Sequence, residues 1–129
     1  MFKKFVQITA LFNFPIAIGI MIPELLSPQA SSFIITLVLA SFLICIGAAL
    51  LWAVSDLPRR APIIVWNGLV RLFGFVVVTY AASSGMAPTL FIPIAVMDLI
   101  TAAIYVLGSA KTTGIPVSSL IIGKSNPYQ

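Results

Sequence analysis

The sequence predicts an all-α integral membrane protein: a four-helix antiparallel bundle forming a single transmembrane domain, with both termini on the cytoplasmic side. Three observations carry that prediction. Of the 129 residues, 60% are hydrophobic and only 8% charged, too few polar groups to cover the outside of a water-soluble domain. Four apolar runs, near residues 5–22, 33–54, 63–82 and 90–109, each approach the ~20 residues that a helix needs to cross a hydrocarbon core. The basic residues between the runs all fall on one side of a four-span path.

The first run follows Lys3 and Lys4, which is also how a secretory signal peptide begins. No A-x-A site follows, and Asn13 and Pro15 interrupt the run, so a retained first helix is expected. Pro15 has no backbone donor for the Leu11 carbonyl and predicts a bend there. Residues 23–32, PELLSPQASS, contain two prolines and an acid and read as the first external loop. The second run has no charge at all, with Trp52 near one end where an amphipathic ring favours the interface. Ser41, Cys45, Ala48 and Ala49 form a small-residue stripe at helical spacing and predict close packing inside the bundle.

Residues 55–62, SDLPRRAP, read as a tight, charged turn before the third run. A short loop, SSGMAPT at 83–89, leads into the fourth, where Pro93 falls in the first turn and its missing donor costs little. Loops this short predict that sequence neighbours pack antiparallel. The tail 110–129 is polar except for IPVSSLII at 115–122, too short to span and expected at the membrane surface or against the bundle.

With four spans, Lys3, Lys4, Arg59, Arg60, Lys111 and Lys124 share one side, and the two opposite loops contain no Lys or Arg. The positive-inside rule makes that side cytoplasmic, and the expected compartment is the inner (plasma) membrane. Three or five spans would divide these charges between both sides.

The formal net charge of +4 comes from residues set singly or in pairs beside apolar runs, so it does not describe a nucleic-acid-binding patch. Cys45 is the only cysteine and the chain has no histidine. An intramolecular disulfide is therefore ruled out, and the commonest ligands for haem, copper and catalytic zinc are missing. Glycine-rich phosphate loops, HExxH and GxSxG are absent too. The expectation is a protein without enzymatic activity of its own.

Two charges remain inside the spans: Arg71 in the third and Asp98 in the fourth. Each costs about 3 kcal/mol at a helix centre on insertion scales, so both should face protein or water and be paired. Counting from the span edges puts Arg71 about 12 Å and Asp98 about 18 Å from the cytoplasmic edge, an axial gap of about 6 Å that an arginine can bridge. An Arg71–Asp98 ion pair between antiparallel neighbours follows. Asn67 and Gly74 flank Arg71 at one-turn spacing, Thr101 and Tyr105 continue from Asp98, and Asn13 with Thr9 offers a third polar wall. Such a constellation can hold an anionic or carbonyl oxygen on Arg71 while Asp98 positions the guanidinium. The same pair can instead only fix helix register. A proton relay through Asp98 is disfavoured by the guanidinium beside it. Trp52, Trp66 and Tyr80 read as interfacial anchors.

Short-looped helices of this number and length, with RLFG (Arg71 to Gly74) in the third and MDLITAAIY (Met97 to Tyr105) in the fourth, resemble the DoxX-like superfamily of small bacterial membrane proteins. The resemblance implies a four-helix bundle, and an accessory subunit of a membrane complex that meets a quinone or another lipophilic molecule. The expected function is accordingly a non-catalytic accessory subunit of a membrane, quinone-linked redox complex, or a binder of a small lipophilic molecule. No resident cofactor is expected; the ligand would be a quinone or lipid, the partners the lipid bilayer and other membrane subunits. A small oligomeric transporter or channel component is the alternative.

Overall fold

A computed structural model describes residues 1–125 and is helical throughout its regular structure. Four long helices occur, α1 (Phe2–Leu26), α2 (Phe33–Ser55), α3 (Leu57–Ser83) and α4 (Phe91–Thr113), followed by a short α5 (Val117–Ile121). All four long helices are long and apolar enough to cross a membrane. The chain divides into two compact units, Met1–Ser55 and the part from Asp56 onward.

The first unit is the α1–α2 hairpin. Its closest approach is at Gly47, where an added Cβ would lie 3.0 Å from the Ala10 carbonyl oxygen and 3.1 Å from the Phe14 ring. On the α1 side Val6, Ala10, Asn13 and Ala17 are buried, and on the α2 side Ala40, Gly47, Leu50, Ala53 and Val54. The predicted packing stripe is corrected here: Ser41, Cys45 and Ala48 are exposed in this hairpin, and α2 meets α1 on the neighbouring face through Ala40, Gly47 and Leu50. Glycine wins the contact because it alone lets the two backbones touch. α1 runs unbroken through Pro15 and Pro23, a turn longer than the predicted end at residue 22. Beyond it the Glu24 carboxylate closes the turn, accepting from the Gln29 backbone N–H at 2.9 Å and from the Ser32 hydroxyl at 3.1 Å.

The second unit is the α3–α4 hairpin with α5 laid against it. Gly68 faces Ala102, Tyr105 and Val106, whereas Arg71, nearly a turn further along, meets Asp98. Rising along α3 therefore means descending along α4, and the pair is antiparallel. At Gly68 an added Cβ would sit 3.0 Å from the Val106 side chain and 3.2 Å from the Ala102 carbonyl oxygen.

The third helix starts at Leu57, about two turns earlier than residue 63, and the reading of 55–62 as a turn is corrected. Proline misled that reading. Pro58 falls among the first positions of α3, whose N–H groups have no intrahelical partner in any case. Pro62 forgoes one bond close to the helix end. The fourth helix also outlasts its predicted end at residue 109 and stops at Gly114, whose φ of 71° gives the left-handed cap that favours glycine. That turn sends the tail back onto the hairpin. Ile115 and Leu120 bury themselves with Ala61 and Val65 of α3, flanked by Val106 and Ala110 of α4. The Trp66 indole N–H donates to the Ile121 carbonyl at 2.8 Å and fixes the short helix in place.

The two glycines of α3, Gly68 and the Gly74 that the sequence singles out, differ in what surrounds them. Nothing lies within 4 Å of a Cβ placed on Gly74, so Gly74→Ala should leave the melting temperature in detergent unchanged or raise it slightly, as alanine's helix propensity implies. Gly68→Ile forces extra atoms between α3 and α4 and should destabilise by about 1–3 kcal/mol. Equal effects of the two substitutions would show that Gly68 is not the crossing point.

Candidate functional site

The polar residues inside the second unit gather on the α3–α4 seam. An Arg71 terminal guanidinium nitrogen donates to Asp98 Oδ1, and its Nε donates to Asn67 Oδ1 at 3.1 Å, one turn back on the same helix. The guanidinium carbon lies 5.9 Å from the centre of the Tyr105 ring, within cation–π range. Three different side chains therefore hold one cation: a carboxylate, an amide oxygen and an aromatic ring. Tyr105 is fully buried and Asn67 nearly so, so the wall behind the arginine is rigid.

The ion pair itself is not sealed. The side chains of Arg71 and Asp98 keep 21% and 33% of their surface open. Among the described residues nothing bonds the second terminal nitrogen of Arg71 or Asp98 Oδ2. Three guanidinium hydrogens and one carboxylate oxygen therefore remain to bond a polar group from outside the pair. Beside this seam the helix pair forms an apolar groove of about 280 Å³, lined by residues that include Gly68, Leu72, Leu99, Ala102 and Val106. Leu72 follows Arg71 and Leu99 follows Asp98 in the chain, so the groove occupies the helix faces next to the ion pair, which does not itself line it.

The remaining expected members stand apart from the cluster. Thr101 is buried, and its hydroxyl donates to the Met97 carbonyl of its own helix at 2.8 Å. Asn13 belongs to the first unit, where its amide nitrogen lies 3.3 Å from the carbonyls of both Thr9 and Ala10. Within that unit it satisfies its own helix backbone. Sequence reasoning passed over Ser109, which follows Tyr105 by one turn; it is fully buried, and its hydroxyl finds no partner among the described residues. The four-residue step from Tyr105 was the available signal. The groove was not legible either, because it depends on how closely Gly68 lets the helices approach.

The fold class this defines is a multi-pass helical membrane protein with an ion pair set between two apolar helices. No family model matches the chain, and neither a curated protein nor a solved structure matches it.

Removing one partner of an ion pair in a membrane leaves an uncompensated charge, whereas replacing both by apolar groups is nearly neutral for folding. Arg71→Met and Asp98→Leu should each lower stability by about 3 kcal/mol, and the double variant should recover most of that loss. Fully additive losses in detergent melting would mean that the two side chains do not interact.

Proposed function

We propose that this chain is a non-catalytic inner-membrane protein that binds the polar head of a small lipophilic molecule at Arg71 and Asp98. The observation that carries the reading is the incompletely used ion pair beside an apolar groove. A pair that served helix register alone would gain most by being fully enclosed and fully bonded. Here the Arg71 guanidinium is aimed by Asp98, Asn67 and Tyr105 while one edge stays available, an arrangement suited to an anionic or carbonyl oxygen. The groove offers the apolar remainder of such a molecule a surface to lie on.

The likeness to DoxX-like proteins favours a quinone-type ligand and a place as accessory subunit in a membrane complex. With no histidine and one cysteine, the chain offers poor ligands for an electron-carrying metal centre, and electron transfer would fall to its partners. The basic loops put both termini in the cytoplasm.

Mass spectrometry of protein purified in mild detergent tests the ligand. A defined lipophilic species should leave with the wild type and be absent from the Arg71→Met/Asp98→Leu variant, provided that variant still folds. Retention of the same species by the folded double variant would reduce the pair to a structural role.

Orientation is tested separately, with single cysteines in a Cys45→Ser background. Those at Gln29 and Ser84 should react with an impermeant thiol reagent on intact cells, and those at Ser55 and Ser118 should not. The reverse pattern overturns the orientation, and a mixed pattern the number of spans.

A further inference from the structure

The end of the second unit where α3 begins and α4 finishes is unlike the rest of the chain. Arg59 and Arg60 lie in the opening turn of α3, Lys111 in the last turn of α4, and Lys124 just beyond α5. Packing brings the elements that carry them to one end of the unit: Ala61 of α3 shares a cluster with Leu120 of α5, and Ala110 of α4 packs against it. The only acid in this region is Asp56, 3.8 Å from Arg59. Arg59 nevertheless keeps 84% of its side chain open, and Lys111 and Lys124 are exposed.

The two arginines stand at the wrong end of their helix. A helix N-terminus already carries partial positive charge, so cations there are unfavourable and anions favourable. The opening turn of α3 contains no acidic residue, and the N-cap Asp56 supplies one negative charge against the two arginines. An anion from outside the chain would offset this excess. Around the same point the surface is apolar: Ile121 and Ile122 of the α5 segment are exposed, at 41% and 68%, and Trp66 is half-exposed beside them. Basic groups ringing a tryptophan and two isoleucines match the boundary between phosphates and acyl chains in a bilayer.

We infer that this end of the α3–α4–α5 unit is a binding surface for anionic phospholipid, with Arg59, Lys111 and Lys124 around the phosphodiester headgroup and Trp66, Ile121 and Ile122 among the upper acyl carbons. The inference rests on the membrane-spanning reading and is independent of the Arg71–Asp98 ligand. It also gives α5 a purpose: the hydrogen bond from Trp66 to Ile121 holds the two isoleucines just beneath the headgroups, at the upper acyl carbons.

The test uses full-length protein with Trp52→Phe, leaving Trp66 as the only tryptophan, reconstituted in phosphatidylcholine bilayers with a minority of phosphatidylglycerol. Bromine is carried on the upper acyl chain of one lipid or the other at equal mole fraction. Brominated phosphatidylglycerol should quench Trp66 as though enriched about fivefold over its bulk fraction. The preference should fall at high salt. It should vanish in Arg59→Gln/Lys111→Gln/Lys124→Gln, whose three changed side chains are exposed and whose helicity is checked by circular dichroism. Equal quenching by both lipids in the unaltered surface overturns the proposal, as does a preference that survives the triple substitution. Loss of the preference on adding inorganic phosphate would mean a site for the free ion rather than for lipid. No quenching by either lipid would instead remove Trp66 from the membrane and overturn the spanning reading beneath it.

Discussion

Hydrocarbon offers no hydrogen-bond partners, so any polar atom that enters it must be satisfied by the chain itself. The helices answer that demand for the backbone, and several small polar side chains answer it in the same way, though the Ser109 and Thr79 hydroxyls find no partner among the described residues. Thr9 donates to the Phe5 carbonyl, Ser41 to Leu37, Thr101 to Met97 and Thr113 to Ser109, each one turn back along its own helix. Asn13 does so with its amide. Each of these bonds satisfies a polar side chain from within its own helix. Arg71 and Asp98 cannot use that route, because a carbonyl does not neutralise a carboxylate and a guanidinium carries more donors than one turn can absorb. They must find each other, and so they fix which faces of α3 and α4 meet.

That need works together with a steric one. Gly68 sits one turn before Arg71 and permits the backbones to approach so closely that an added Cβ would crowd the Ala102 carbonyl. Close approach shortens the span that the arginine must cross and sets Tyr105 under the guanidinium. Small residue and charge thus belong to one device. In the first unit Gly47 plays the steric part alone, against Ala10 and Phe14, and no ion pair is recorded there among the described residues.

The four long helices and the Arg71–Asp98 contact were legible because both follow from one-dimensional quantities: length of apolar run and depth along an axis. Depth counting works for this pair because each span edge is marked by a change in composition. Helix ends were less legible. Proline was read as a boundary at residues 58 and 62, yet the start of a helix is the place that tolerates it, and α3 begins two turns earlier. The α2 stripe failed for a different reason. Ser41, Cys45 and Ala48 share a face with small side chains, but a single glycine on the next face allows a closer contact, and periodicity does not rank the two. The α5 clamp was beyond reach because its determinant, a hydrogen bond between residues 55 apart, leaves no local pattern.

That clamp has a consequence for how the chain is made. During synthesis α3 leaves the ribosome ahead of the segment that carries Ile121, so the Trp66 indole N–H must meanwhile be served by water or lipid at the interface. The hairpin can close through Gly68 and the ion pair as soon as α4 arrives. The N-terminal turns of α3 gain their burial against Ile115 and Leu120 only when the last described segment folds back. Assembly of this unit is therefore completed by the α5 segment, and a chain cut before Ile121 would leave a hairpin whose tryptophan is still unclaimed.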